Sequence, residues 1–366
     1  VKKNRKKILV SPLNWGLGHA TRCVPIIRVL LSKGYDVVIG AEERPLAFLK
    51  IEFPELSFHE LPGYSITYPE KGKMMLRMAA SVPGIIHGIS AEHKAVQELV
   101  RKEKIAGIIS DNRFGLWHRQ VPTAFMTHQV SVKAPFGESL IFRVNRHYIR
   151  KFNYCWIPDH KGEKNLSGDL SHTRQLPLTT HYVGPLSRFT KPVKKIGEGL
   201  LILLSGPEPQ RTMLEKIVIG QLSQVKEKIK GKVILVRGLP GKTIKADIPS
   251  FIEAHDHLGD KELMHAISQC SLVFCRTGYT TLMDLYYLGG KAIFVPTPGQ
   301  TEQEYLGKLM MEKNIGISMK QGAIDLNYAL SAREKYTGFA GAHFDPKPLN
   351  TAIDEFLSLV EGKDKN

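Results

Sequence analysis

With 366 residues the chain is longer than a single hydrophobic core usually grows, so two domains are expected, and 42% hydrophobic residues place it among globular proteins. No apolar run approaches the roughly 20 residues of a membrane-crossing helix; Cys23, Cys155, Cys270 and Cys275 sit at no metal-binding spacing, and Cys270 and Cys275, in or beside an expected strand, read as buried thiols of a cytoplasmic protein. The formal net charge is +16, of which +13 falls in residues 1–190 and +3 in 191–366, a bias that points to an acidic partner such as an anionic membrane surface, a phosphorylated acceptor or nucleic acid.

The basic start VKKNRKKILV lacks the apolar core and cleavage site of a signal peptide and runs into a first strand, Ile8 to Val10. Ser11 to His19 is a loop that opens a helix through about Ser32, stopped by Gly34. Strand, Gly-rich loop and helix in that order suit a dinucleotide turn, but Thr21 stands where the third glycine of G-x-G-x-x-G belongs. Tyr35 to Gly40 and Leu56 to His59 are the next strands. The segment from Lys71 to Lys104 starts apolar and Met-rich with Lys71, Lys73 and Arg77 interspersed, a pattern that fits a core helix or a membrane-interface helix, and Pro83-Gly84 is expected to kink or break it.

Ile105 to Ile109 is a strand ending in Ser110-Asp111-Asn112-Arg113, and Pro122 to Met126 one ending in Thr127-His128-Gln129. In a parallel sheet both polar ends open on the same side, which makes Asp111 and His128 candidate site residues as well as ordinary caps. Arg143, Arg146, His147 and Arg150 share one basic helical face within 139–151, fit for phosphates or for solvent alone. A strand over Phe152 to Ile157 precedes the clearest linker, the Gly/Pro/Lys-rich stretch from Gly184 to Gly197. The expected division is 1–184, a linker at 185–198, 199–348, and a terminal helix in 349–366.

The pattern then restarts. Leu200 to Leu204 is a strand, Ser205 to Arg211 a loop, Thr212 to about Lys228 a helix, Lys232 to Val236 a strand, and His257 to Asp260 precedes a helix from about Lys261. Leu272 to Cys275 is a buried strand that breaks at Arg276-Thr277-Gly278 into a helix ending at Gly289-Gly290, and Ala292 to Val295 is the strand after it. A guanidinium, a hydroxyl and a glycine at a helix N-terminus after a parallel strand make a phosphate site, since aligned peptide dipoles favour an anion there. Asp284 and the loop residues Gln300, Glu302, Gln303 and Glu304 supply the carboxylates and amides that sugar hydroxyls need. Ile353, Phe356, Leu357 and Val360 give the last helix an apolar face.

Arg276-Thr277-Gly278-x5-Asp284, Phe294-Val295-Pro296 and Gln303-Glu304-Tyr305 together resemble the donor signature of the GT-B glycosyltransferases, in particular the MurG-like group, glycosyltransferase family 28. The stretch GLGHATR is similar to the first loop of that group. The resemblance implies an α/β fold of the GT-B kind, two Rossmann-like domains facing each other across a cleft, with the terminal helix crossing back to the first. It implies donor contacts at Gly16, Gly18, Ser205, Gly206, Arg276, Thr277, Gly278, Tyr279, Gln300, Gln303 and Glu304, ribose contact at Asp284, and base contact near Leu258. Asp284 stands where the family usually has Glu, and Glu304 replaces the second of a Gln pair.

His19 in that loop would be the general base, its ordinary pKa near 6.5 suiting work at neutrality, with Asp111 and His128 binding acceptor hydroxyls or orienting it. The expected activity is inverting transfer of a hexose or N-acetylhexosamine from a UDP-sugar to an acceptor hydroxyl, with no metal and no cofactor. The acceptor is a glycan or lipid-linked molecule, the location cytoplasmic with a peripheral place on the inner membrane face, and nucleic acid is not expected as a partner. A UDP-sugar epimerase and a non-enzymatic binder of anionic polymer are the alternatives.

Overall fold

The apolar runs read as strands form the centres of two parallel sheets. The computed structural model describes residues 5–63, 74–134, 137–173, 176–177, 179–239 and 247–362, with side chains left aside over 74–82. It has two units, Val1–Arg188 with Asp345–Asn366, and Phe189–Phe344.

The first unit contains β1 (Lys7–Pro12), α1 (Leu17–Ser32), β2 (Asp36–Ala41), α2 (Glu43–Glu52), β3 (Ser57–Glu60), α3 (Met74–Glu103), β4 (Ile105–Asp111), β5 (Thr123–Met126), α4 (Glu138–Ile149), β6 (Tyr154–Ile157) and β7 (Thr180–Tyr182). Its sheet order is β3-β2-β1-β4-β5-β6-β7, parallel throughout. Leu9 sits between Val38 and Ile108, and all three are buried. Such strands, covered on both faces, read as unbroken apolar runs. The order reverses between β1 and β4, so the loops leaving these two strands part to opposite faces and leave a crevice at their carboxyl ends.

Helix α3 runs through Pro83 without a break, against the sequence expectation. An internal proline costs about 3 kcal/mol. The turns after it bury Ile89, Val96, Leu99 and Val100 against the sheet side, and that packing outweighs the local penalty. The start of the basic segment, with Lys71 and Lys73, lies outside the described residues, as does the side chain of Arg77. On α4, Leu140, Arg143, Val144, His147 and Arg150 flank the helix's outer side, with Asn145 and Ile149 buried beneath. Among the described residues no helix is long and apolar enough to cross a membrane.

The second unit repeats the plan with β8 (Gly199–Leu203), α5 (Gln210–Val225), β9 (Val233–Val236), β10 (Ile252–His255), α6 (Asp260–Ser268), β11 (Cys270–Cys275), α7 (Tyr279–Leu288), β12 (Lys291–Phe294), α8 (Thr301–Glu312), β13 (Gly316–Ser318) and α9 (Leu326–Ala332). The order is β10-β9-β8-β11-β12-β13, again parallel, with its reversal between β8 and β11. Strands β10 and β13, absent from the sequence expectation, are short edge strands of four and three residues.

The last helix, α10 (Lys347–Gly362), belongs to the first unit. Its Phe356 meets the ring of Trp156 edge-on at 5.9 Å and lies over Gly107 of β4, where an added methyl group would stand 2.7 Å from the ring. Phe356→Ala is therefore expected to cost about 3–5 kcal/mol, read as a lowered denaturant midpoint; an unchanged midpoint would mean that α10 is not part of this core.

Candidate active site

The first crevice is built by β1, β4 and β5. After β1 the chain turns at Gly16, whose φ of +89° a residue with a side chain rarely adopts, and α1 begins at once. That turn places His19 on the first turn of α1 and Arg22 on the same face one turn later. Gly18 is in this first turn, its carbonyl accepting from Thr21 Oγ1. Asp111 ends β4 and His128 follows β5.

The four side chains meet. His19 Nδ1 lies 3.0 Å from Asp111 Oδ2. Arg22 donates from Nε to Asp111 Oδ2 at 2.7 Å and from Nη2 to Oδ1, from Nη1 to His128 Nδ1 at 3.1 Å, and its Nη2 is 2.8 Å from His19 Nδ1. Arg22, Asp111 and His128 are buried, whereas the His19 side chain keeps 11% of its surface exposed and is the member a ligand can reach. Burial works against charge on Asp111, but Arg22 and His19 outweigh it and hold the carboxyl down at about 2. Burial and then Arg22 push His19 below 6.5, against the opposing pull of Asp111. His19 is thus neutral and Asp111 charged near pH 7. Because a guanidinium only donates, His128 faces Arg22 through an Nδ1 lone pair.

Sequence reasoning brought His19, Asp111 and His128 to this place and missed Arg22. The available signal was its position three residues after His19, on the same helical face.

The second crevice has a different character. Arg276 follows β11 and is buried to 1% exposure. Its Nη1 donates to the carbonyls of Val295 and Pro296, both at 3.2 Å, and its Nη2 to the carbonyl of Gln210 at 2.9 Å and to Gln321 Oε1 at 2.6 Å. The guanidinium is a knot that ties α5, the end of β12 and Gln321 together. Burial lowers its pKa to about 10, so it stays cationic at neutrality. Among the described residues its Nε is buried without a partner, as are the hydroxyls of Thr277 and Thr297, both fully buried.

Orphaned buried donors of this kind are rare and call for a reason. A methyl group added at Gly206 would stand 3.7 Å from both Arg276 Nε and Thr297 Oγ1, so both atoms border the space that Gly206, at φ +105°, leaves open in the loop after β8. Helix α7 starts here with Gly278 as N-cap, Tyr279 as first residue and no side-chain cap hydrogen bond. Ser205 is exposed in the same loop.

The remaining expected residues divide. Gln303 Oε1 accepts from the Thr297 N–H at 2.9 Å, and its Nε2 donates to Gln300 Oε1. Gln300 and Gln303 thus shape the loop that carries Thr297. Asp284 is half-buried on α7, and Glu304 is exposed in the first turn of α8. Leu258 lines a groove of about 420 Å³ beside α6 with Lys232, His255 and His265, a groove that neither Arg276 nor Thr277 borders. The loop after β8 is held from below by a buried charge network that the sequence did not reveal. Arg211 Nε donates to Glu208 at 2.5 Å, and Arg211 and Arg237 both donate to Glu215.

Residues 219–329 match the family model described as glycosyltransferase family 28 C-terminal domain, and lie within the second unit. No curated protein sequence matches. Among solved structures, the glycotransferase of kitacinnamycin is similar with a TM-score of 0.63 at 10% identity, covering 99% of this chain and 96% of that one. MurG from Acinetobacter baumannii gives 0.55 at 12% identity, covering 99% and 100%. The spinosyn rhamnosyltransferase SpnG, complexed with thymidine diphosphate, gives 0.57 at 13% identity, covering 98% and 95%. At such identities the likeness is one of fold. That fold is GT-B, with two Rossmann-like domains, and the motif resemblance to its MurG-like members holds. The family match supports a glycosyl transfer role, and the epimerase alternative is not favoured.

Proposed function

We propose that this protein is a glycosyltransferase that moves a sugar from a nucleoside diphosphate sugar, UDP-linked by the motif resemblance, to an acceptor hydroxyl with inversion. The observation that carries the donor side is the group of orphaned polar atoms, Arg276 Nε, Thr277 Oγ1 and Thr297 Oγ1, beside the uncapped start of α7. Hydroxyls, one N–H of a cation and the first-turn N–H groups of a helix are what a diphosphate accepts from, and the departing diphosphate gains the same stabilisation as its charge grows. That stabilisation comes from the chain itself, so transfer is expected to persist in a chelator. The acceptor side rests on His19, neutral and held beside a charged Asp111. His19 Nε2 takes the hydroxyl proton as the oxygen attacks the anomeric carbon, the carbon–oxygen bond to the diphosphate breaks on the opposite face, and the configuration inverts.

Calorimetric titration with UDP, dTDP, GDP and UMP tests the donor reading. UDP is expected to bind, UMP much more weakly, and Thr277→Val and Thr297→Val each to weaken UDP by about 10-fold or more, the worth of a hydrogen bond to a charged group. A wild-type protein that binds no nucleoside diphosphate would remove the basis of this function.

A further inference from the structure

Arg22 stands at the centre of the first crevice, in contact with Asp111, His19 and His128. The His19 nitrogen Nδ1 lies between two groups of opposite need. At 2.8 Å is Arg22 Nη2, which only donates, and at 3.0 Å is Asp111 Oδ2, which while ionised only accepts. One nitrogen cannot serve both. With a lone pair, Nδ1 accepts from Arg22 and the ring proton sits on Nε2. With a proton, Nδ1 donates to Asp111 and turns an N–H toward the N–H of Arg22.

We propose that Arg22 is a positioning residue for His19: it competes with Asp111 for Nδ1, keeps the imidazole neutral, and selects in the free protein the tautomer with its proton on Nε2. The inference rests on the reading of His19 as the base. Proton abstraction at Nε2 uses the other tautomer, with Nδ1–H bonded to Asp111, and it creates an imidazolium beside the guanidinium. Arg22 opposes both steps and Asp111 favours both, so the balance of the two sets the strength of the base. A His–Asp pair alone becomes protonated in the mildly acid range, whereas this one stays neutral there.

Among the described residues, the titratable and charged groups acting on His19 are Arg22 on α1, Asp111 at the end of β4, and His128 after β5, while Cys23 of α1 reaches Asp111. Burial pushes the Cys23 thiol well up, so it stays neutral beside Asp111. The His19 pKa lies below 6.5, with burial and then Arg22 as its causes, in keeping with the geometry.

Nitrogen-15 NMR of the His19 ring in the full chain, across the acid and neutral range, tests this on wild type, Arg22→Gln and Arg22→Lys. The wild-type ring is expected to carry its proton on Nε2. In Arg22→Gln the proton moves to Nδ1 and the titration midpoint rises, by about tenfold or more in proton affinity, one pKa unit being 1.36 kcal/mol. Arg22→Lys, which keeps the charge and loses the fork, falls between. Wild-type His19 with its proton on Nδ1, or the same midpoint in all three proteins, overturns the proposal. Should Arg22→Gln fail to fold, wild type and Arg22→Lys decide the matter. The acid limb of UDP release from the donor is recorded on the same proteins. A midpoint that moves in the spectra while the acid limb stays fixed leaves Arg22 in its role and removes His19 as the base.

Discussion

His19→Ala is expected to lower the release of UDP from a UDP-sugar by about 10²–10⁴-fold, the span that a positioned general base contributes, while calorimetric UDP affinity stays within about twofold of wild type. The two readouts separate because His19 belongs to the first unit and the orphaned polar atoms to the second. The pH dependence has a definite sign. Only neutral His19 accepts a proton, and its pKa is lowered, so activity is retained at pH 6.5 and falls at a lower pH, as the ring becomes charged. Asp111, held at about 2, remains ionised through that fall and adds no second limb near it. His19→Ala that releases UDP at the wild-type rate would sink the base assignment, whatever the donor site does.

How much of this was legible beforehand depends on how local its cause is. His19, Asp111 and His128 could be placed together from sequence because three strands of one parallel sheet end on the same side, and the loops leaving them carry their polar residues to that side. Arg22 shares a helical face with His19, but that signal alone did not decide its place, since an arginine at i+3 on an amphipathic helix is ordinarily a surface residue. Only the buried carboxylate of Asp111, from a strand 89 residues away in sequence, gives it a reason to lie inside. Pro83 shows the same limit from the other side: the local rule for a helix breaker is sound, and the later turns of α3 overrule it by burial in the sheet's core. Arg276 was identified as a donor residue by its motif, but which of its protons remains for a ligand was hidden. Its Nη partners lie 19, 20, 45 and 66 residues away in sequence, three of them backbone carbonyls, which leave no trace in residue identity. Gln303 was read as a sugar ligand for its chemistry, and the loop that it braces uses the same amide.

Arg276→Lys is expected both to abolish measurable UDP binding and to lower the stability of the second unit by at least about 3 kcal/mol, several hydrogen bonds from a charged donor being worth about 1.5–3 kcal/mol each. Lysine keeps the charge but gathers its protons on one nitrogen, which cannot reach Val295, Pro296, Gln210 and Gln321 and also present a proton where Arg276 Nε now lies. Carbonyls that lose a buried donor cost desolvation with no return. Thr277→Val is the control that divides the two effects, since its hydroxyl has no partner among the described residues and on this reading only a ligand misses it. Thermal unfolding with and without UDP reads both at once. Saturation at about 100 Kd adds about 2.7 kcal/mol to a protein that binds, so wild type should gain a higher midpoint with UDP, Thr277→Val should start from a wild-type midpoint and gain less, and Arg276→Lys should start low and gain nothing. An Arg276→Lys protein that melts with the wild type would mean that the guanidinium is not the knot its contacts describe. One that melts low yet still gains the full UDP shift would leave Arg276 as scaffold alone, with the diphosphate held by the threonines and the start of α7.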